Sequence, residues 1–222
     1  MLGGELIFLL GVLALVVVGV VWGLLFSRDT KIHRRLFARQ TQAIATAPPG
    51  ATVRLTGTVE PIGEQLWAPM TRRRCVHYLT VLEERQYNHF TNSWKWVEVI
   101  RLEKSLDFML RDASGVARVR MARAQVAIVR DQRGRSGFLD DPTPMELEFL
   151  EMQGEDPTNG TAMNRALRYA EGVLAAGEHV TVLGVAHPGD DTCRLVLEAP
   201  PDGHLLVTDE PTTVHSAARG AS

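Results

Sequence analysis

The sequence predicts a mainly β domain with minor α content, OB-like or otherwise barrel-like, preceded by one N-terminal transmembrane helix. Three observations carry this prediction. They are an uncharged apolar run at the start, closely spaced alternating runs after Pro49, and a weak internal repeat of one strand pattern.

The apolar run extends from Leu6 to Phe26, 21 residues without a charge. At the helical rise this spans roughly 31 Å, the thickness of a bilayer core. Glu5 in place of a basic start, and Trp22, Leu24 and Phe26 in place of a small-residue cleavage site, favour an anchor over a cleaved signal. Arg28, Lys31, Arg34, Arg35 and Arg39 follow with only Asp29 opposing them, which places the N-terminus outside and the bulk of the chain in the cytoplasm. Ile32, Leu36, Phe37 and Ile44 recur near helical spacing among these charges, so residues 28–47 read as a basic juxtamembrane helix, with a short solvated extension as the alternative.

Pro48, Pro49 and Gly50 end that stretch and open a globular domain covering residues 48–209. The first strand is Val53 to Val59, with Gly57 expected at a bulge or close approach. Further strands are expected at Cys75 to Leu82, Trp94 to Arg101, Asp107 to Arg111, Val116 to Met121 and Val126 to Arg130. Asp131 to Asp141 reads as a charged, glycine-bearing loop, Pro144 to Gln153 as a short helix and Gly154 to Gly160 as a mobile loop. A second helix is expected from Ala162 to Ala175. The strand pattern then returns: Gly50, Val53, Leu55, Gly57, Val59 and Pro61 match Gly177, Val180, Val182, Gly184, Ala186 and Pro188, each 127 residues on. Strands at Cys193 to Glu198 and Leu205 to Val207 complete the domain, and residues 210–222 read as a disordered tail.

The charge balance, 24 Lys and Arg against 26 Asp and Glu, lacks the basic footprint of a dedicated nucleic-acid binder. With Cys75 and Cys193 far apart, neither a disulfide framework nor a thiolate zinc site is expected, and reduced cytoplasmic thiols fit.

Several segments together resemble the GIDE, or BAM ("beside a membrane"), domain family of the mitochondrial ubiquitin ligase MULAN/MAPL and its prokaryotic relatives. The residues that carry the resemblance are Val53 to Val59, Ala68-Pro69-Met70-Thr71 leading to Cys75-Val76-His77-Tyr78, then Trp94, Phe108, Asp112 and Gly115, and later Arg168-Tyr169, Glu171 and Gly177 to Gly184. It covers roughly Pro48 to Asp209. In that family ligase activity resides in a C-terminal RING. Two Cys and seven scattered His without a C-x-x-C pair cannot build one, so that activity does not carry over.

Arg72, Arg73 and Arg74 form a basic run suited to phosphate, acidic peptide or anionic headgroups, against the plainer reading of a solvated turn. They could also lower the pKa of Cys75, yet the apolar pattern around that thiol favours a core position over a reactive one. Trp94 and Trp96 share a strand face, with Tyr87, His89 and Phe90 in the loop before them; an aromatic ligand platform competes with the favoured reading of a lid over the core. Arg168, Tyr169 and Glu171 read as docking residues of the second helix. His77, His179 and His187 read as satisfied structural histidines, and no metal, cofactor or phosphate loop is expected.

The sequence therefore points to a non-catalytic, membrane-tethered binding or scaffold module, with the bilayer and a protein at the cytoplasmic face as partners. One alternative is the membrane subunit of a ubiquitin-like ligase system whose catalytic RING is on another chain. A second is a single-strand-binding barrel, against which charge and tether count, so no nucleic-acid partner is expected.

Overall fold

The computed structural model describes residues 32, 34–36, 38–129, 132–136, 143–155 and 165–209. The expected span, the Gly154 to Gly160 loop beyond Glu155, and the tail lie outside these residues. Among the described residues no helix is long and apolar enough to cross a membrane.

Strands β1 (Thr41–Gln42), β2 (Thr52–Pro61), β3 (Leu66–Trp67), β4 (Arg74–Cys75), β5 (His77–Asn88), β6 (Ser93–Ser105), β7 (Phe108–Asp112), β8 (Gly115–Val119), β9 (Ala124–Ala127) and β10 (Gln132–Ser136) come first. Helix α1 (Pro144–Met152) follows, then β11 (Leu167–Leu174), β12 (His179–Pro188), β13 (Leu195–Glu198) and β14 (Leu205–Thr208). The fold is mainly β. In the largest sheet β2, β7, β8, β13 and β12 lie in that order, and β12 pairs back onto β2 to close a five-stranded barrel. Closure removes the free edges that an open sheet of these strands would expose. Val53, Leu55, Val59, Phe108, Leu110, Ala117, Val119, Val180, Val182 and Leu195 fill its interior.

The repeated strands are neighbours. β2 and β12 pair antiparallel with Leu55 opposite Val182, so each of these residues faces its own repeat equivalent and the two copies are related by a local two-fold through that pair. Gly57 lies opposite Val180 and Gly184 opposite Val53. Beyond each glycine the strand's other edge takes a new partner, β7 from Thr58 and β13 from Val185. A side chain on Gly57 would meet the backbone of Arg111, whose carbonyl carbon would lie 2.8 Å from it, and one on Gly184 would meet the Glu198 carbonyl oxygen at 2.7 Å. The glycines are thus close-approach positions. Pairing runs unbroken through both, so the expected bulge is not there.

A second antiparallel sheet, β10-β11-β5-β6, stands beside the barrel. One of its faces, with Leu82, Leu167 and Tyr169, is covered by Phe149 and Leu150 of α1. Thr143 caps that helix in a reciprocal arrangement with Glu146, satisfying two otherwise orphan donors.

Two helical expectations are overturned. Leu167–Leu174 is a strand, not the second half of a helix, because it lies fully paired between β5 and β10. Its Ala, Leu, Arg and Glu residues favour a helix locally, and the long-range pairing overrides that preference. β10 occupies part of the expected charged loop after Asp131. The juxtamembrane segment is helical at Arg34–Leu36 but extended at Thr41–Gln42, where β1 pairs parallel with Arg54 and Leu55 of β2, so the expected helix does not continue to residue 47.

Candidate functional site

Arg72 and Arg73 sit in the connection of the β3–β4 hairpin, and Arg74 opens β4. Pro69 supplies a preset φ, Arg72 takes a left-handed φ of 54°, and Arg72 N–H donates to the Ala68 carbonyl at 3.0 Å. Glu171 of β11, only 2% exposed, holds this turn from the side. One carboxylate oxygen accepts from the Met70 N–H at 2.9 Å and the Thr80 hydroxyl at 2.6 Å; the other accepts from the Thr71 N–H at 2.9 Å and its hydroxyl at 2.6 Å. Burial of the carboxylate is tolerable because four donors replace its water. Glu171 therefore anchors the turn and docks no helix.

The three arginines diverge. Arg72 pairs with Glu148 of α1 at 2.5 Å, Arg73 with Glu178 at 3.2 Å, and the Arg74 guanidinium lies 4.9 Å from the centre of the Trp67 ring. They do not form one cationic patch. Arg73 instead joins Met70, Thr71, Arg133, Met145 and Tyr169 around an open pocket of about 460 Å³, with Glu171 at its wall. Met145 and Arg133 were not legible as site residues, since only the packing of α1 and β10 against β11 brings them to this turn.

Cys75 is fully buried, its sulfur 3.8 Å from the Leu66 carbonyl oxygen. Burial, reinforced by the Glu171 charge, pushes its pKa up to about 11, so the nearby arginines do not activate it. His77 is likewise buried, its Nδ1 2.8 Å from the Ser105 hydroxyl and its Nε2 without a hydrogen-bond partner. Burial lowers its pKa to about 4, so the ring is neutral at physiological pH. His179 and His187 are exposed on β12. Among the described residues no group of three His, Cys, Asp or Glu could hold a metal.

Trp94 and Trp96 do share a face of β6, but they do not cover the core. Trp94 is 58% exposed, with Arg85 5.0 Å from its ring centre and Tyr87 edge-on at 5.2 Å. Arg168 lies 4.5 Å from the Trp96 ring centre and pairs with Glu83 at 2.5 Å. The hairpin β5–β6 is longer than the sequence pattern indicated, and it takes Tyr87 into the strand and leaves Phe90 at its apex fully exposed.

The segment after the expected span is fastened to the barrel. Ile32 and Leu36 are buried against Ala127, Leu183 and Leu206. Further on, the Ile44 N–H donates to Asp112 at 2.8 Å, the Ala45 N–H to the Ser114 hydroxyl at 2.9 Å, and Arg194 donates to the Ile44 carbonyl at 3.0 Å. Burial acts upward on the Asp112 carboxyl, but the N–H groups of Ile44, Ser114 and Gly115 and the Ser114 hydroxyl outweigh it and hold its pKa below the usual range.

Comparison with known proteins finds no matching family model, no similar curated protein and no similar solved structure.

Proposed function

We propose that this chain is a membrane-tethered binding or scaffold module of the GIDE/BAM type, non-catalytic in itself, whose OB-like barrel is held against the cytoplasmic membrane face. The burial of Ile32 and Leu36 on the barrel carries the reading. Only six chain steps separate Phe26, the end of the apolar run, from Ile32, a reach of at most roughly 20 Å. A domain fixed at Ile32 therefore stays beside the bilayer in which Leu6 to Phe26 would sit. Tethering raises the effective concentration of any partner confined to the same surface, so a modest binding face suffices.

The segments that carry the family resemblance meet at Glu171. Met70 and Thr71 of the turn and Thr80 of β5 all donate to the carboxylate of Glu171, which lies 91 to 101 residues further along the chain. The chemically versatile side chains near that centre, Cys75, His77 and Glu171, are buried and serve packing or hydrogen bonding. What this region offers a partner is the pocket lined by Met70, Met145 and Arg73. We assign the protein-binding face to it.

The test is crosslinking of the full chain in its native membrane, with partners identified by mass spectrometry, against a Met145→Arg variant that fills the pocket mouth. A defined protein captured by the wild type and lost in the variant supports the reading, and a RING-bearing or ubiquitin-like partner would turn it toward the ligase-subunit alternative. Capture unchanged by the variant overturns the pocket assignment.

The closed five-stranded barrel favours one second reading, since OB-type barrels bind single strands on the outer face of their second and third strands. Arg111 and Arg118 of those strands, and Arg120 just past β8, are paired with Glu60, Asp107 and Glu198. Steeply salt-dependent binding of single-stranded oligonucleotides would establish it; its absence leaves the tethered-module reading alone.

A further inference from the structure

We propose that the tip of the β5–β6 hairpin is a second membrane contact, which inserts Phe90 and Trp94 at the headgroup level of an anionic bilayer. The inference rests on the tethered reading above for the identity of the membrane.

The hairpin is built to project. β11 pairs with β5 only as far as Glu84, so beyond Arg85 the two strands pair only with each other, a ribbon roughly 10 Å long. Its apex is held in one shape. Asn88 accepts from the N–H groups of Phe90 and Thr91 at 2.9 and 3.1 Å, Tyr87 donates to Asn92, and Asn92 takes a left-handed φ of 49°. This ordered turn presents Phe90 at 101% exposure, with Trp94 at 58% and Tyr87 at 37% behind it. Large aromatics left in water at a fixed apex are otherwise unfavourable.

Charge identifies the surface. In a chain of net charge −2, the stretch from Arg85 to Val97 holds no acidic residue, two permanent cations, Arg85 and Lys95, and four large aromatics, Tyr87, Phe90, Trp94 and Trp96. Aromatic rings favour the boundary between headgroups and acyl chains, and cations a little further back favour the phosphates. Apolar groups lie at the apex of the finger and on both its faces, Trp94 on one and Val97 on the other. Apolar side chains at the apex and on both faces suit a soft layer that surrounds the tip better than a rigid partner that meets one face.

The test labels a Phe90→Cys variant of the full chain with an environment-sensitive fluorophore; Cys75 and Cys193 are buried and stay unlabelled. The chain is placed in lipid discs of phosphatidylcholine alone or with phosphatidylglycerol, with nitroxide lipids as quenchers, and Asp202→Cys in an exposed turn serves as reference. The proposal expects quenching at position 90 several-fold above position 202 in the anionic discs, lost in an Arg85→Glu, Lys95→Glu variant. Equal quenching at both positions, or a blue shift at position 90 that lipid nitroxides do not quench, overturns it, the latter assigning the tip to a protein. A chain that fails to co-elute with discs removes the tether alone. The tip is then decided with phosphatidylglycerol vesicles added to the labelled chain, where unchanged emission at position 90 overturns the proposal and blue-shifted emission sustains it.

Discussion

Thr71 donates both its backbone N–H and its hydroxyl to one carboxylate oxygen of Glu171, at 2.9 and 2.6 Å, across 100 residues of chain. The arginine-bearing turn keeps its shape through this carboxylate. Replacing Glu171 with Ala strands two N–H groups and two hydroxyls, at least one N–H of them buried, and the expected loss is about 3 kcal/mol by urea denaturation. Thr71→Val, which keeps the N–H bond, costs about 1 kcal/mol. Equal stability of Glu171→Ala and the parent would remove the anchoring role.

Gly57→Ala and Gly184→Ala both destabilise the barrel, by about 2 kcal/mol or more, because the added carbon collides with the neighbouring backbone. Neither glycine has a left-handed φ, so the effect arises from contact and grows with side-chain size: valine is worse than alanine at each. Melting temperatures equal to the parent in both alanine variants would sink the close-approach account.

His77 makes stability depend on pH in a defined window. Its folded pKa of about 4 lies below the ordinary 6.5, so the unfolded chain binds the proton more tightly. Stability is therefore complete above pH 6.5 and falls as pH drops toward 4, by at most about 3 kcal/mol from this group. A His77→Gln variant, compared with the parent across that range by thermal melts, shows a flatter profile. Parallel profiles would show that the ring does not titrate in this way.

Cys75 resists thiol reagents. A pKa raised from 9 to about 11 cuts the thiolate fraction at neutral pH roughly 100-fold, and burial adds to this. Labelling of the folded chain is expected to follow unfolding; labelling as fast as in a short peptide would restore the reactive reading.

Leu36→Asp places a charge against Ala127, Leu183 and Leu206 and releases the membrane-proximal segment. Limited proteolysis then cuts near residues 38–48 faster than in the parent, with the barrel fragment intact. Unchanged cleavage would mean that the segment is held without this contact.

Much of the barrel was legible because its strands carry local signals. Val53, Leu55 and Val59 alternate into the interior, and the repeat of this pattern 127 residues later foretold two equivalent strands. The short helix from Pro144, whose Thr143 cap became visible in the structure, was legible in the sequence. The Leu167–Leu174 strand was not, since its composition favours a helix and only the neighbours β5 and β10 make it extended. Trp94 misled for a related reason: alternation shows that two indoles share a face but not whether anything covers it.

The sequence by itself determined the apolar run, the mainly β character, the alternating core positions and the recurrence of one glycine-bearing strand pattern. These follow from periodicity, composition and the absence of a side chain, which act within a few residues. Only the tertiary structure decided that the two repeats face each other across Leu55 and Val182, that Arg72, Arg73 and Arg74 turn to different partners, and that Glu171 holds the turn. Each of these joins residues distant in the chain, and a hydrogen bond or packed contact of that kind leaves no local pattern to read.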